Sequence, residues 1–454
     1  MPHDDVLAHA LDYADRWLAY RRWRLRIPGV QLAVRVGGEL VLDTAHGVAD
    51  ASTGEALTAR HRFRIASHSK TLAALTVLRL VEEGRLRLDD TVGAHLPALS
   101  ATDAAALQLR ELLSHGAGVV RDSDDVAFWH LQAPFPDAEG LHAIARSGLH
   151  RLPASTEFKY SNIGFGLLGL VVEAVTGTPY GEALESLVLA PLGRDDVLAD
   201  LPEGEAPEGL VAGHSALHSS EVRAPLGSPA AGALAAATGA IASAAGLSDV
   251  LRTLGEHDDR LLPAAARRRL RQRQWTLSGR DGAAVGYGLG VQLREIEGRD
   301  WAGHGGAWTG QATRTLVDAE RDVVVSVLTN AIDGPAEELA IGVARIVSTA
   351  TDEGERPDAE AIARLRSFEG SFASIWGRID VVELGGRLLA VPTTAADPLA
   401  APDVLEPLDA DRVRVTAATG MGSGHETATA ARDADGRVVR WRGAMHLETV
   451  PPVA

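Results

Sequence analysis

The chain of 454 residues contains no cysteine. That absence excludes disulfides, thiolate-bound zinc and a cysteine nucleophile. Long apolar runs are also missing, and no stretch reaches the length of about 18 residues that a membrane-spanning helix needs. The acidic N-terminal segment MPHDDVLAHALDYAD lacks the apolar core of a signal peptide. We therefore expect a cytoplasmic protein with no membrane partner.

Positive charge is scarcer than negative charge, with 44 basic residues against 61 acidic ones and a net charge of −17. Proteins that bind nucleic acid need basic patches to meet the phosphates, so we expect no nucleic-acid partner. Solubility is a sufficient reason for the excess of acidic residues. The apolar fraction of 46% is ordinary for a globular protein that buries a sizeable core.

Lysine is almost absent, because only Lys70 and Lys159 are lysines and every other basic residue is arginine. Lys70 follows Ser67 by three residues, which places both side chains on one face of a helix that starts at Ser67. A serine hydroxyl becomes a good nucleophile when a base removes its proton. Arginine stays protonated in proteins, whereas a buried lysine can lose its charge and act as that base. A chance Ser-x-x-Lys is the alternative, with odds of roughly one in ten.

The second lysine precedes a triplet of type Tyr-x-Asn, formed by Tyr160 and Asn162. A phenol beside an ammonium ion is expected to have a lowered pKa and to relay a proton. The amide of Asn162 can hold both a lysine and a substrate carbonyl. Viewed alone, Tyr160 fits a packed core tyrosine equally well, and we assign no role to Lys159.

A third segment, GHGGAWTG at 303–310, is rich in glycine. Glycine allows a strand backbone to approach a ligand closely. The backbone amides of Ser67 and Ala307 could then form an oxyanion hole. A glycine-rich bulge with a surface histidine explains the segment alone equally well.

The order Ser-x-x-Lys, Tyr-x-Asn, His-x-Gly resembles that of the penicillin-recognising serine hydrolases of the β-lactamase fold. This family includes class C β-lactamases, DD-peptidases, D-aminopeptidases and related esterases. The resemblance covers about residues 20–350. Other stretches also carry it: PGVQLAV at 28–34, LRELLSHGAGV at 109–119 and YSNIGFGLLGLVVEAVTG at 160–177.

The resemblance implies that Ser67 is the acylated nucleophile and that Lys70 and Tyr160 share the acid and base work as coupled groups. It also implies a set of substrate-binding and oxyanion-binding residues: Asn162, His304, Gly305, Gly306 and Ala307. Neither a metal nor a cofactor is expected. We expect a small-molecule or short-peptide substrate, and the sequence leaves a homo-oligomer open.

One departure from the family bears on the substrate. The third motif is often Lys-Thr-Gly, whose lysine helps to bind a substrate carboxylate, whereas this chain has His304-Gly305-Gly306. A histidine is mostly neutral at pH 7, so this position should bind a carboxylate weakly. D-amino-acid peptidase or amidase and carboxylesterase therefore rank equally. Weak β-lactamase or DD-carboxypeptidase activity, or non-catalytic binding of β-lactams or peptides, is the alternative.

The pattern of helices and strands predicts an α/β (α+β) fold. An antiparallel sheet of the β-lactamase/transpeptidase type, built from both ends of residues 1–350, is flanked by helices and carries a mainly helical insert at about 85–275. A polar linker at 351–360 follows. Short alternating strands then predict a small C-terminal antiparallel β-domain at 361–454, either a barrel or lipocalin-like.

Overall fold

The structure is a computed structural model that describes residues 2–202, 207–217, 221–279, 282–352, 357–416 and 422–451. Contacts between α-carbons divide the chain into two compact units. Unit 1 comprises Met1–Arg26 and Glu338–Ala454, and unit 2 comprises Ile27–Glu337. The domain boundaries at 350 and 361 stay predictions, and residues 353–356 of the predicted linker lie outside the described residues.

The helices of unit 2 fill the long interval between its two groups of strands. Numbered along the whole chain, the α-helices are α1 Pro2–Arg24, α2 His68–Glu82, α3 Val92–His95, α4 Leu109–Leu113, α5 Ala138–Arg146, α6 Asn162–Thr176, α7 Tyr180–Leu184, α8 Ala244–Arg252, α9 Ala264–Arg271, α10 Ala336–Thr351 and α11 Ala359–Arg366. No single helix within the described ranges is both long and apolar enough to cross a bilayer. The one pair that passes jointly, Asn162–Thr176 with Tyr180–Leu192, is bent by 77°.

Unit 2 contains a nine-stranded antiparallel sheet in the order β3-β2-β1-β13-β12-β11-β10-β9-β8. Two separate short sheets pair β4 with β7 and β5 with β6. The strands of unit 2 are β1 Gly29–Val36, β2 Glu39–Asp50, β3 Glu55–Ala56, β4 Phe63–Arg64, β5 Gly213–His214, β6 Pro225–Leu226, β7 Ile241–Ala242, β8 Trp275–Ser278, β9 Ala284–Tyr287, β10 Gln292–Ile296, β11 Arg299–Trp308, β12 Gln311–Asp318 and β13 Val323–Thr329. The first and last of these strands pair in the middle of the sheet, with Val30 opposite Thr329. The prediction of a sheet built from both ends is confirmed, as is the predicted fold class.

Two central helices of unit 2 are buried along most of their length because their sequences are apolar on nearly all sides. Helix α2 begins directly after Ser67. Helix α6 begins after Ser161, whose hydroxyl accepts a hydrogen bond from the backbone N–H of Gly164. It ends at Gly177, which adopts a left-handed conformation with φ of 76°.

One segment whose sequence pattern predicts a single strand forms two strands. Residues 285–296 carry a continuous strand pattern, but the structure divides this segment into β9 and β10. Gly290 lies in the turn between them with φ of 67°, and its N–H donates a hydrogen bond to the carbonyl of Leu113. The hydroxyl of Thr71 in α2 donates a hydrogen bond to the Gly290 carbonyl. The turn between β9 and β10 therefore connects the sheet to the central helix α2.

Unit 1 contains a closed eight-stranded antiparallel barrel in chain order. Its strands are β14 Gly370–Ser374, β15 Gly377–Leu384, β16 Arg387–Pro392, β17 Asp403–Pro407, β18 Arg412–Val415, β19 Thr427–Arg432, β20 Val438–Gly443 and β21 Leu447–Thr449. The barrel closes where Phe372 of β14 lies opposite Thr449 of β21. The sequence pattern of RVRVTAA at 412–418 predicts a longer strand than β18, and residues 417 and 418 lie outside the described residues.

Candidate active site

The structure brings together the three residues predicted to carry the chemistry. The hydroxyl of Tyr160 donates a hydrogen bond to Ser67 Oγ at 2.8 Å. The amine of Lys70 lies 3.3 Å from the same oxygen. Because Tyr160 is 93 residues away from Ser67 along the chain, only the tertiary fold can place the phenol beside the serine and the lysine.

The turn before α2 fixes the position of Ser67. Ala66 adopts a left-handed conformation with φ of 48°, which is costly for a residue with a Cβ and is often found at functional sites. Ser69 holds this turn, since its hydroxyl donates to the Ala66 carbonyl at 2.7 Å. The same hydroxyl accepts a hydrogen bond from the N–H of Ala240 at 2.9 Å. Ser67 is thus presented, half-buried, at the start of the helix.

Lys70 is completely buried, and its amine has three hydrogen-bond acceptors. Besides Ser67 Oγ, these are Asn162 Oδ1 at 2.7 Å and the carbonyl of Ala237 at 2.8 Å. Ala237 lies in a single π-helical turn, Ala235–Gly239, and such turns are frequent at functional sites. These three acceptors fix the direction of the amine toward Ser67.

Burial lowers the pKa of Lys70 well below its usual value, because the charged ammonium loses its hydration. The carboxylate of Asp122 acts in the opposite direction and raises this pKa, whereas the guanidinium of Arg121 lowers it further. The uncharged amine that general-base chemistry requires is therefore accessible.

The prediction of a lowered pKa for Tyr160 was wrong. Burial of the phenol raises its pKa above the usual value and outweighs its hydrogen bond with Ser67, which lowers it. Arg121 lowers the pKa of Tyr160 and Asp122 raises it. Tyr160 therefore keeps its proton at ordinary pH, and Lys70 is the better acceptor for the Ser67 proton.

Asp122 is a site residue that the sequence analysis missed. Its Oδ1 accepts hydrogen bonds from Asn162 Nδ2 at 2.7 Å and from Trp129 Nε1 at 2.8 Å. The carboxylate is buried. Since Asn162 also accepts from Lys70, a continuous chain of hydrogen bonds runs from Ser67 through the lysine and the asparagine to Asp122.

His304 is buried and neutral, so the alternative of a surface histidine was wrong. Its Nδ1 lies 2.7 Å from the Gly305 carbonyl, and its Nε2 lies 3.2 Å from the hydroxyl of Tyr287, a second residue that the sequence analysis missed. Burial is the largest cause that lowers the pKa of His304, followed by the nearby His68. The ring therefore supplies no positive charge for a substrate carboxylate.

The glycine-rich segment is regular β-strand in β11, and the alternative of a bulge was wrong. A Cβ on Gly306 would lie 2.2 Å from the carbonyl oxygen of Ile65, two residues before Ser67. Glycine at this position therefore lets the strand approach the Ser67 turn, next to the exposed Ala307. Strand β10 pairs with β11 only as far as Gly303, so β10 does not cover the edge of β11 beyond that residue. The oxyanion hole formed by the amides of Ser67 and Ala307 stays a prediction.

His115 is buried against the ring of Tyr160. Its ring centroid lies 4.2 Å from that of Tyr160 and 4.9 Å from that of Tyr287. Its Nδ1 accepts a hydrogen bond from the N–H of Ser161 at 3.1 Å. Burial lowers the pKa of His115 well below the usual value. The residue thus acts as an uncharged wall that holds the Tyr160 ring in place.

A cavity of about 860 Å³ lies elsewhere in unit 2, between the C-terminal end of α2 and helices α4 and α9. Its lining includes Arg87, Arg269 and Trp275 but none of the predicted site residues. Across the described ranges, no group of three or more histidine, aspartate or glutamate residues is arranged to hold a metal ion. The cluster around Ser67 is therefore the candidate active site.

The family model for Beta-lactamase matches residues 14–348, which is well over half of the sequence. The chain therefore belongs to the Beta-lactamase family. It is 31% identical to Penicillin-binding protein 4 of Amycolatopsis lactamdurans over 333 residues, which cover 67% of this chain and 81% of that protein. It is 29% identical to Protein flp of Staphylococcus aureus over 172 residues, or 37% of this chain, and it spans only 34% of that protein's length.

Three solved structures, of two proteins, are similar to this chain in both sequence and fold. SurE matches with a TM-score of 0.62 and 25% identity, and 99% of each chain is covered. The structure of SurE with D-Leu matches with a TM-score of 0.59. A D-stereospecific amidohydrolase from Streptomyces sp. matches with a TM-score of 0.61 and 25% identity, covering 72% of this chain and 97% of that one. The match to SurE includes the barrel of unit 1 as well as the sheet and helices of unit 2.

Proposed function

We propose that the protein is a serine hydrolase that acts through a covalent acyl-enzyme on Ser67. The observation that carries this proposal is the position of Ser67 Oγ, 2.8 Å from the hydroxyl of Tyr160 and 3.3 Å from the amine of Lys70. A hydroxyl with two proton-transferring groups in reach has the parts that nucleophilic catalysis needs. A protein that only binds its ligand would have no use for a buried amine directed at a serine.

The reaction has two steps. In the first, the neutral amine of Lys70 takes the proton of Ser67 as Oγ attacks the carbonyl carbon, and the backbone amides of Ser67 and Ala307 stabilise the oxyanion. The bond to the leaving group breaks, and that group receives the proton from Lys70 through Tyr160. In the second step, Lys70 and Tyr160 take a proton from water as its oxygen attacks the acyl carbon. The bond between the acyl carbon and Ser67 Oγ then breaks, the proton returns to Oγ, and the acid leaves.

The substrate class that we favour is an amide of a small D-configured amino acid. Support comes from the D-stereospecific amidohydrolase and from SurE with D-Leu, both 25% identical to this chain. A carboxylesterase is the second candidate, because the uncharged His304 favours acyl groups that need no cation at that position.

Labelling followed by a substrate panel tests the proposal. A fluorophosphonate should add one adduct to the intact protein, which peptide mass spectrometry should locate on Ser67, and Lys70→Ala should remove it. The panel comprises D- and L-aminoacyl p-nitroanilides, p-nitrophenyl esters of graded length and nitrocefin. Absence of any adduct on the wild-type protein would favour a binding protein on the same fold.

A further inference from the structure

The candidate site lacks a cation at the position where the family often has one. His304 is uncharged and 1% exposed, and Lys70 is completely buried with its amine committed to three acceptors. The chain carries a net charge of −17, which repels anionic substrates from the protein as a whole. An anionic substrate would therefore need a local cation at the site.

Arg121 supplies a positive charge beside Tyr160. Its guanidinium carbon is 5.6 Å from the ring centroid of Tyr160. Its side chain is 65% exposed, although the pKa values of Lys70 and Tyr160 both respond to its charge. An arginine that is open to solvent and close to both catalytic groups can reach a ligand bound at Ser67.

The arginine is anchored at one end and free at the other. Its carbonyl accepts a hydrogen bond from the N–H of Asn162 at 2.7 Å, so its backbone is fixed to the start of α6. Its Nε lies 3.2 Å from Asp122 Oδ2. In the described parts of the chain, the two terminal nitrogens of the guanidinium have no hydrogen-bond partner. These are the atoms with which arginine binds a carboxylate through two parallel hydrogen bonds.

The neighbouring Asp122 raises the opposite alternative, a substrate ammonium group. The geometry disfavours it, because Asp122 is 8% exposed and its Oδ1 already accepts from Asn162 and Trp129. Its Oδ2 faces Arg121. At this edge of the site, the side chain with unused hydrogen-bonding atoms is therefore the cationic Arg121, whereas the carboxylate of Asp122 is already occupied.

We propose that Arg121 binds a carboxylate of the substrate, so that the protein prefers amides or esters that carry this anionic group close to the scissile bond. The inference rests on the proposed function and names the substrate class of the same site. Arg121, in the loop before α6, thereby binds the carboxylate that the lysine of the third motif often helps to bind in the family. Arg121 takes no part in the proton transfers and acts as a specificity residue.

Matched substrate pairs test this inference on either side of the scissile bond. On the acyl side, p-nitrophenyl hemiglutarate is compared with p-nitrophenyl pentanoate. On the leaving side, 3-carboxyphenyl acetate is compared with 3-carbamoylphenyl acetate. In Arg121→Ala, kcat/KM should fall by about tenfold or more for at least one carboxylate substrate, mainly through KM, since a charge-assisted pair is lost. Its neutral partner should change less than about threefold.

Two further variants serve as controls. Arg121→Lys should retain part of the preference, because the charge remains while the forked geometry is lost. Arg151→Ala removes an exposed arginine of the same region that pairs with Asp124 at 3.0 Å, and it should leave both members of each pair unchanged. Rates are compared on the pH plateau of each variant, since Arg121 also affects the pKa of Lys70.

Each outcome has one meaning. Equal changes for the charged and neutral members of both pairs would overturn the role of Arg121. So would an unchanged preference for the carboxylate substrates in Arg121→Ala. If the wild-type protein forms no fluorophosphonate adduct on Ser67, the proposed function fails instead. An intact adduct without any dependence on Arg121 leaves the hydrolase in place and removes only the substrate class.

Discussion

Asp122 Oδ1 lies 2.7 Å from Asn162 Nδ2, on the side of the asparagine that does not face Lys70. The carboxylate therefore acts on the lysine in two ways without touching it. It fixes the orientation of the amide that accepts the lysine's hydrogen bond, and its negative charge raises the pKa of Lys70 against the effect of burial. We interpret Asp122 as a positioning residue that orients the Asn162 amide and raises the pKa of the buried Lys70 amine.

The first prediction concerns Asp122→Asn. Loss of the negative charge should lower the pKa of Lys70 further, so the neutral amine persists to lower pH. The acidic limb of the kcat/KM profile should then shift toward lower pH. The plateau should fall by about tenfold, because the Asn162 amide loses its charged acceptor. The measurement is a full pH–rate profile with a neutral p-nitrophenyl ester.

Asp124→Asn is the matched control, since Asp124 is exposed and pairs with Arg151. It should leave the profile unchanged. The other charged and titratable groups that act on Lys70 or lie against it are the same in both variants: Arg121, Tyr160, His115 and His304. A shift of the acidic limb to higher pH in Asp122→Asn would contradict the interpretation.

The second prediction uses the only two lysines. Lys70→Arg introduces a cation that cannot lose its proton, so the general base is absent and kcat should fall by about a thousandfold or more. Lys159→Arg should retain wild-type activity, because the Lys159 side chain makes no hydrogen bond within the described ranges. The fluorophosphonate labelling rate and the hydrolysis of a p-nitrophenyl ester measure both effects. Comparable activity in the two variants would remove the lysine from the mechanism.

The sequence predicted the residues whose signals are local. Ser67 and Lys70 are separated by nearly one helical turn, and Tyr160 and Asn162 lie at the start of a helix with a strong apolar pattern, so local patterns made them candidates. The pattern of helices and strands, together with the family that the order of the motifs resembles, then predicted the fold. Asp122 has no such signal, because it lies in the acidic run RDSDD, which is typical of a solvated loop.

Burial could not be predicted at the same level of detail. The expected lowering of the Tyr160 pKa assumed a neighbouring ammonium ion and ignored the loss of hydration, which dominates once the phenol is enclosed. Tyr287 and His304 meet because β9, β10 and β11 are adjacent in the sheet. The pairing of β9 with β10 depends on the turn at Gly290, and the continuous strand pattern of the sequence does not indicate that turn.

The third prediction concerns adjacent glycines of β11. Gly306→Ala would place a Cβ 2.2 Å from the Ile65 carbonyl oxygen, so the strand must move away from the Ser67 turn. We expect kcat to fall by about a hundredfold through a displaced Ala307 amide. Gly305→Ala is the comparison, because its Cβ would come no closer than 3.4 Å to any neighbouring atom, so we expect a smaller loss of kcat. Equal activity in the two variants would show that the close approach is not needed.

The last prediction concerns the stability of the barrel in unit 1, and it compares two tryptophans. Trp441 is completely buried, stacking on Phe368 with ring centroids 6.0 Å apart, whereas Trp376 in the β14–β15 turn is 91% exposed. Trp441→Ala should lower the free energy of unfolding of the barrel by about 3–5 kcal/mol, since it removes a large core side chain. Trp376→Ala should change it by less than about 0.5 kcal/mol. Urea denaturation followed by tryptophan fluorescence and circular dichroism measures both, and a larger effect at Trp376 would mean that the exposed turn is covered in solution.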